Sequence, residues 1–213
     1  MMKKSIADIR KDYTLKTLDE ADVLKNPFQQ FETWWNEALE SNIEEVNAMT
    51  LSTVNNENKP TSRTVLLKGF DTEGFSFFTN YNSAKGQGIN KNINVSLCFY
   101  WKELQRQVRI EGEAKKLSDQ ENDEYFNSRP LGSKIGAWAS PQSQVIKNRT
   151  VLDENENRIQ KEFGENVKRP IHWGGYKIIP CYFEFWQGRA SRLHDRIAFT
   201  LENNNWKIER LAP

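Results

Sequence analysis

The sequence predicts a mainly β fold with peripheral helices (α+β), built as a closed or half-closed antiparallel barrel. Three observations point there. Roughly six to eight segments carry strand-like alternation, and turn-forming residues separate them about every ten positions. The alternating β-α rhythm of a doubly wound sheet is missing. Neither G-x-G-x-x-G nor G-x-x-x-x-G-K-[ST] occurs, so barrel side chains, not a Gly-rich loop, would have to hold any nucleotide-like ligand.

Residues 1–26 are polar and weakly periodic, and are expected to form a mobile arm or lid ahead of a single domain over 27–213. Pro27 then opens Phe28 to Leu39, whose apolar residues recur at helical spacing with proline at a tolerated first-turn position. Its Trp34-Trp35 pair reads as core. From Met49 the period changes to two, and strands are expected at Met49–Val54, Ser62–Lys68 and Phe75–Thr79, joined by Asn- and Gly-rich turns as a meander. Ser83–Asn92 predicts a short helix weakened by two glycines. Asn94–Trp101 and Arg106–Ala114 follow as strands. Ser118-Asp-Gln-Glu121 is a capping box opening a helix to about Ser128, and Ser133–Trp138 is a short helical segment. The polar stretch 144–169 predicts a helix with a loose connection. Tyr176–Trp186, Arg196–Leu201 and a segment around Trp206–Ile208 complete the strands.

The chain has 213 residues, enough for one large domain. Its 12 Phe, 7 Trp and 6 Tyr can supply a core. Thirty basic residues nearly balance 29 acidic ones, which leaves no footprint for general nucleic-acid binding. Any phosphate chemistry must therefore come from local clusters. Cys98 and Cys181 lie apart in apolar surroundings and read as buried thiols, and two histidines are too few for a zinc site, so no metal is expected. No stretch resembles a signal peptide or a membrane span. A cytoplasmic protein without membrane or nucleic-acid partners is expected.

Several residues could carry chemistry. Phe185 to Arg196 packs Arg189, Arg192, Arg196, His194, a Trp and a Gly into one short stretch. That composition suits a planar anion, or else a solvated strand end, because guanidinium both chelates phosphate and stacks on rings. Arg63 and Lys68 have odd spacing, so strict alternation would put them on opposite faces of one strand, serving two anionic sites or merely solvated ends. Tyr125, Arg129 and Ser133 recur at intervals of four around Pro130, and could converge at a helix end as a phosphate cup. Gln142, Ser143 and Gln107 have donors suited to a flavin edge, but equally suit a turn and a strand.

These pieces occur in one register. Arg63-Thr64-Val65-Leu66-Leu67-Lys68, Phe78-Thr79-Asn80, Ser83-Ala84-Lys85, Arg106-Gln107-Val108, Tyr125 to Pro130, Gln142-Ser143, Phe185-Trp186-Gln187-Gly188, Arg192-Leu193-His194-Asp195-Arg196 and Arg210-Leu211-Ala212-Pro213 succeed one another. From about Ile9 to the C-terminus the chain resembles the FMN-dependent pyridoxine/pyridoxamine 5′-phosphate oxidase family. The resemblance implies an antiparallel split β-barrel, and a homodimer with FMN in clefts between subunits. It implies oxidation of pyridoxamine and pyridoxine 5′-phosphates to pyridoxal 5′-phosphate, with O₂ reduced to H₂O₂ and ammonia released from the amine. By matching position, Arg63 and Lys85 would hold the FMN phosphate. Thr64, Val65, Leu66, Leu67, Lys68, Phe78, Thr79, Gln107, Gln142, Ser143, Trp186 and Arg196 would line the rest of the flavin site. Lys68, Tyr125, Arg129 and Ser133 would take the substrate phosphate. Arg192 and His194 would cover the pyridine ring as the catalytic pair, with Arg10 and Tyr13 in an N-terminal lid. Two departures stand out: Ala84 replaces an arginine common in the family, and Phe78 a common tyrosine. A related flavoprotein acting on another planar substrate, and a non-catalytic flavin or pyridoxal phosphate binder, are the alternative readings.

Overall fold

Asn26 starts the first helix. Its side chain accepts from the Phe28 N–H at 2.9 Å, and Pro27 follows as the first helical residue. In the computed structural model, which describes residues 5–6 and 12–213, the elements run α1 (Pro27–Leu39), β1 (Ala48–Val54), β2 (Pro60–Leu66), β3 (Gly69–Phe70), β4 (Phe75–Asn80), α2 (Ala84–Lys91), β5 (Asn94–Trp101), β6 (Arg106–Lys116), α3 (Asp119–Ser128), α4 (Leu131–Ala139), α5 (Thr150–Phe163), β7 (Trp173–Gln187), β8 (Asp195–Glu202) and β9 (Asn205–Arg210). The strand order is β2-β1-β5-β6-β7-β4-β3, with β8 paired to β7 and β9 to β8. This is the expected split-barrel class, a half-barrel sheet with five helices.

Three local expectations are corrected. First, β1, β2 and β4 do not form a meander: β4 pairs antiparallel with β7, Phe78 facing Gly175 and Asn80 facing Trp173. Second, β2 ends at Leu66, and a bend leaves the Lys68 N–H bonded to Ser76 O at 2.8 Å. Alternation therefore does not extend to Lys68. Third, Cys98 is half-buried, but Cys181 is exposed.

The chain divides into two compact units, where one domain over 27–213 was expected. The first comprises the described residues up to Met49, Leu97–Glu111 and Cys181–Pro213. Its core is aromatic: Phe31 and Trp34 of α1 meet Phe99 at 5.2 Å and Phe185 at 5.3 Å between ring centres. Trp101 donates to Val46 O at 3.1 Å, which satisfies a buried indole N–H. Residues 12–26, expected as a mobile arm, are tied into this unit. The Thr14 N–H donates to Gln105 Oε1 at 3.0 Å, the Leu18 N–H to Asp195 Oδ2 at 3.1 Å, and Leu18 is buried.

The second unit comprises Thr50–Ser96 and Gly112–Pro180. Phe126, Ile135, Ile159, Val167 and Trp173 form a cluster that draws α3, α4 and α5 together. The capping box of α3 is present, Ser118 and Glu121 bonding reciprocally. In α2 the glycines that weaken helix propensity serve packing. A Cβ on Gly88 would lie 2.9 Å from Val54 O, closer than any side chain tolerates.

Candidate active site

A cleft of about 800 Å³ opens in the second unit. β2 brings Arg63, Thr64, Val65 and Leu66 to it, and the bend after β2 adds Lys68. β4 supplies Phe78, Thr79 and Asn80; α2 supplies Lys85 one residue inside its N-terminus. Tyr125 stands in the last turns of α3, Arg129 caps its C-terminus, and Ser133 lies in the first turn of α4. Gln142 comes from the loop after α4, and Trp173 opens β7. The break at Pro130 is what gathers Tyr125, Arg129 and Ser133 around one helix end, as their spacing suggested. Arg63 and Lys68, expected on opposite faces, line the same cleft because the strand bends between them.

Four cations therefore face one space, and no Asp or Glu lines it among the described residues. Neutral groups hold three of them, Arg63, Lys85 and Arg129. Arg63 Nη1 donates to Thr53 Oγ1 and Arg63 Nη2 to Thr61 Oγ1, both at 2.8 Å. Lys85 Nζ donates to Thr79 Oγ1 at 3.2 Å, and Thr79 donates in turn to Gln142 Oε1 at 3.2 Å. The Arg129 guanidinium lies 4.4 Å over the Trp173 ring, with Nη1 buried and without a hydrogen-bond partner among the described residues. Burial pushes the pKa of Arg63, Lys85 and Arg129 below their ordinary values, and the charge of Arg63 presses Lys85 further down. Desolvated cations without counter-charges bind anions well, because the cost of drying them is already met by the fold.

Phe78, Tyr125 and Trp173 form an aromatic wall. Phe78 stacks on Tyr125 with ring centres 3.9 Å apart, and on Trp173 at 5.5 Å. Trp173, Asn80, Ser140, Gly136 and Ala137 line the cleft although no site role was expected of them. Trp173 carried a signal, as an aromatic-Gly-Gly start to a long apolar run, and Asn80 stood inside the Phe78-Thr79-Asn80 motif. Of the expected flavin residues, Leu67 is buried and Ser143 is exposed with φ of 70°, and neither lines the cleft.

The remaining expected residues lie in the first unit. Trp186 and His194 stand 4.6 Å apart between ring centres, and Tyr13 packs against both at 5.8 Å. Gly188 makes room for this: a Cβ there would lie 2.7 Å from Tyr13 Cγ. Arg192 is exposed and, with Ser191, adopts a left-handed backbone at φ of 60° and 57°, strain that clusters at functional loops. The Arg189 N–H donates to His194 Nδ1 at 3.1 Å. Burial lowers the His194 pKa, the Arg192 charge lowers it further, and Asp195 opposes. A neutral imidazole whose Nδ1 accepts carries its proton on Nε2.

Arg189, counted in the same cluster, pairs with Asp195 at 2.8 Å. Arg196 is held by buried Glu184 through Nε at 2.9 Å and Nη2 at 3.0 Å, and by Ala212 O at 2.7 Å. Glu184 also takes Arg109 at 2.9 Å. Gln107 is half-buried in β6. Arg10 lies outside the described residues. Among the described residues no cluster of His, Cys, Asp and Glu could hold a metal, and no helix is long and apolar enough to cross a membrane.

Residues 35–160 match the family model described as pyridoxamine 5′-phosphate oxidase. Residues 173–213 match the pyridoxine 5′-phosphate oxidase C-terminal dimerisation region. A pyridoxine/pyridoxamine 5′-phosphate oxidase of Burkholderia mallei (strain SAVP1) is 54% identical over 212 residues, covering 98% of this chain and 99% of that protein. One from Burkholderia thailandensis is 53% identical over the same span. Among solved structures, PhzG from Burkholderia lata 383, in complex with tetrahydrophenazine-1-carboxylic acid, aligns with a TM-score of 0.87 at 27% identity, covering 93% of this chain and 99% of that one. A pyridoxamine 5′-phosphate oxidase-related, FMN-binding protein from Nostoc punctiforme shares the fold at a TM-score of 0.70 and 16% identity, over 88% of this chain and 98% of that one.

Proposed function

This chain belongs to the pyridoxine/pyridoxamine 5′-phosphate oxidase family, and we propose that it oxidises pyridoxamine and pyridoxine 5′-phosphates to pyridoxal 5′-phosphate, as a cytoplasmic FMN-dependent homodimer. The observation that carries this reading is the cleft: four cations, no carboxylate, and a buried guanidinium nitrogen still wanting an acceptor.

The residues present fit FMN. Arg63 and Lys85, dried by burial and tethered by threonine hydroxyls, suit its phosphate. Gln142, Thr79 and the β2 backbone suit its polar edge, and apolar Val65 and Leu66 its ring. Bound FMN supplies a two-electron acceptor that O₂ regenerates with formation of H₂O₂. The protein's part is positioning. Arg129, Tyr125, Ser133 and Lys68 would anchor the phosphate ester of the substrate, so that its reacting carbon is held in one place. Arg192 would lie over the electron-rich pyridine ring, and His194, with its proton on Nε2, would donate a hydrogen bond to it. Tyr13, packed on Trp186 and His194, would help exclude water. With the amine substrate, two-electron oxidation of the reacting carbon would leave an imine, and one water would then hydrolyse that imine to the aldehyde and ammonia.

The C-terminal dimerisation match supports a homodimer, in which we place the Trp186–His194 cluster of one protomer beside the cleft of its partner. PhzG is a relative with a different printed ligand, so another planar substrate is the second reading. The Tyr125/Arg129/Ser133 cup favours a phosphate ester over a carboxylic acid without phosphate. Adding pyridoxamine 5′-phosphate without oxygen to purified protein is expected to bleach the visible flavin bands, and admitting air to restore them. A colourless protein that FMN does not reconstitute would overturn the reading. Bleaching by a phosphate-free ring alone would favour the second.

A further inference from the structure

Charge placement on α3 and β7 assigns a role to a residue outside the expected set. Helix α3 carries four carboxylates, Asp119, Glu121, Asp123 and Glu124, and each is bonded to a group other than Arg129. Arg169 binds Asp123 Oδ1 at 2.6 Å and Asp119 Oδ1 at 2.8 Å. Glu121 bonds Ser118, and Glu124 accepts from Gln120 at 2.9 Å. Arg129 is held instead by π-faces, 4.4 Å from Trp173 and 5.6 Å from Phe126. Its Nη1 is buried and unsatisfied.

Trp173 is itself rigid. It is 6% exposed, stacked on Phe78, and met edge-on by Phe126 at 5.2 Å. Its backbone oxygen accepts from Arg169 Nη1 at 3.0 Å. One arginine thus takes two of the carboxylates and bonds the backbone of the tryptophan that carries the other arginine. An aromatic face attracts a guanidinium without neutralising it, whereas a carboxylate in the same place would compete with an incoming anion. We propose that Trp173 is a positioning residue, whose indole face holds Arg129 in place while leaving its charge free for the phosphate of the substrate. This rests on the reading above only for the identity of the phosphate ester.

The test is a double-mutant cycle on the FMN-loaded protein, using Trp173→Leu, Trp173→Phe, Arg129→Ala and the Trp173→Leu/Arg129→Ala pair. Equilibrium titration with pyridoxal 5′-phosphate, and KM and kcat with pyridoxamine 5′-phosphate, are measured for each. Trp173→Leu is expected to weaken binding and raise KM about tenfold, with kcat within about twofold and FMN content unchanged. Trp173→Phe, which keeps a π-face, should recover most of the loss. In the Arg129→Ala background Trp173→Leu should cost less than about twofold. Inorganic phosphate, used as a competitor, should weaken by the same factor as pyridoxal 5′-phosphate.

Full persistence of the Trp173→Leu loss without Arg129 would overturn the proposal, because the ring would then act on the ligand directly. Wild-type affinity in Trp173→Leu would overturn it as well. Should Trp173→Leu fail to fold, Trp173→Met, which fills the space without a π-face, takes its place in the cycle with Arg129→Ala, and absence of coupling there would overturn the proposal. A wild-type protein that binds pyridoxal 5′-phosphate with this coupling, yet never oxidises pyridoxamine 5′-phosphate, would break the proposed function and leave the role of Trp173 standing.

Discussion

Arginine serves two opposite ends in the first unit and in the cleft of the second. In the first, Arg106, Arg109, Arg189, Arg196 and Arg210 each have a carboxylate within hydrogen-bonding distance. Two of these carboxylates act as hubs. Glu184 binds Arg109 and Arg196, while Asp195 binds Arg189, Arg210 and the Leu18 N–H. Such pairs knit the N-terminal segment, β7, β8 and the C-terminal strand together. In the cleft of the second unit, Arg63 is held by threonine oxygens and Arg129 by a tryptophan face. Paired guanidiniums build structure; guanidiniums held by neutral groups stay available to a ligand. The difference shows which cations the fold consumes and which it reserves, although all are the same residue type.

The most damaging way to probe the contrast is Glu184→Gln. It removes the buried carboxylate that Arg109 and Arg196 share, leaving Arg109 to Glu111 and Arg196 to Ala212 O, and about 2 kcal/mol of stability should be lost because both guanidiniums are partly solvated, read as a lower denaturant midpoint. An unchanged midpoint would mean that pairing in the first unit is not structural. Next is Arg63→Gln. FMN affinity should fall about 100-fold for the loss of charge-assisted bonds to phosphate, by fluorescence titration, while the apoprotein unfolds at the same midpoint or a higher one. Loss of apoprotein stability instead would place Arg63 with the structural arginines.

A gain is expected from Ala84→Arg. Ala84 is exposed at the start of α2, beside Lys85, and a guanidinium there should tighten FMN about tenfold. Equal affinity would show that Arg63 and Lys85 already saturate the FMN phosphate.

The mildest effect is on pH. His194 sits below its ordinary pKa, so it is neutral at neutral pH. As pH falls, the unfolded chain takes up this proton first, and stability drains from the ordinary histidine value down through the lowered folded one. Protonation also turns Nδ1 into a donor facing the Arg189 N–H. Burial pushes the Asp195 carboxyl up, but the Leu18 N–H, Arg189 and Arg210 outweigh it and hold it low. Its contribution is complete above the ordinary carboxylate range and fades only in stronger acid. A profile of kcat/KM against pH should therefore show an acid limb, falling below the ordinary histidine value, and His194→Asn should flatten that limb.

Local signals were enough for much of this architecture. Pro27 and the apolar spacing behind it define α1, Ser118 and Glu121 define the start of α3, and Gly- and Asn-rich turns separate most strands. The spacing of Tyr125, Arg129 and Ser133 around Pro130 already contained the cup, because the break in the helix is a short-range event. The motif register from Arg63 to Pro213 carried the family, which the whole-length matches bear out.

Long-range pairing was not legible in the same way. Nothing near β4 announces that its partner is β7, a hundred residues on, because period-two alternation records a strand's faces and not its neighbour. The bend that brings Lys68 to the side of Arg63 follows from a backbone bond to Ser76, not from strand periodicity. The sequence by itself determined which residue types are present and where helices and strands begin: caps, turns and periodicity act over a few residues. Only the tertiary structure decided which arginines meet carboxylates and which meet Trp173 or threonine oxygens. That choice depends on side chains far apart in the chain coming within about 3 to 4 Å of one another, the reach of a hydrogen bond or a π-face.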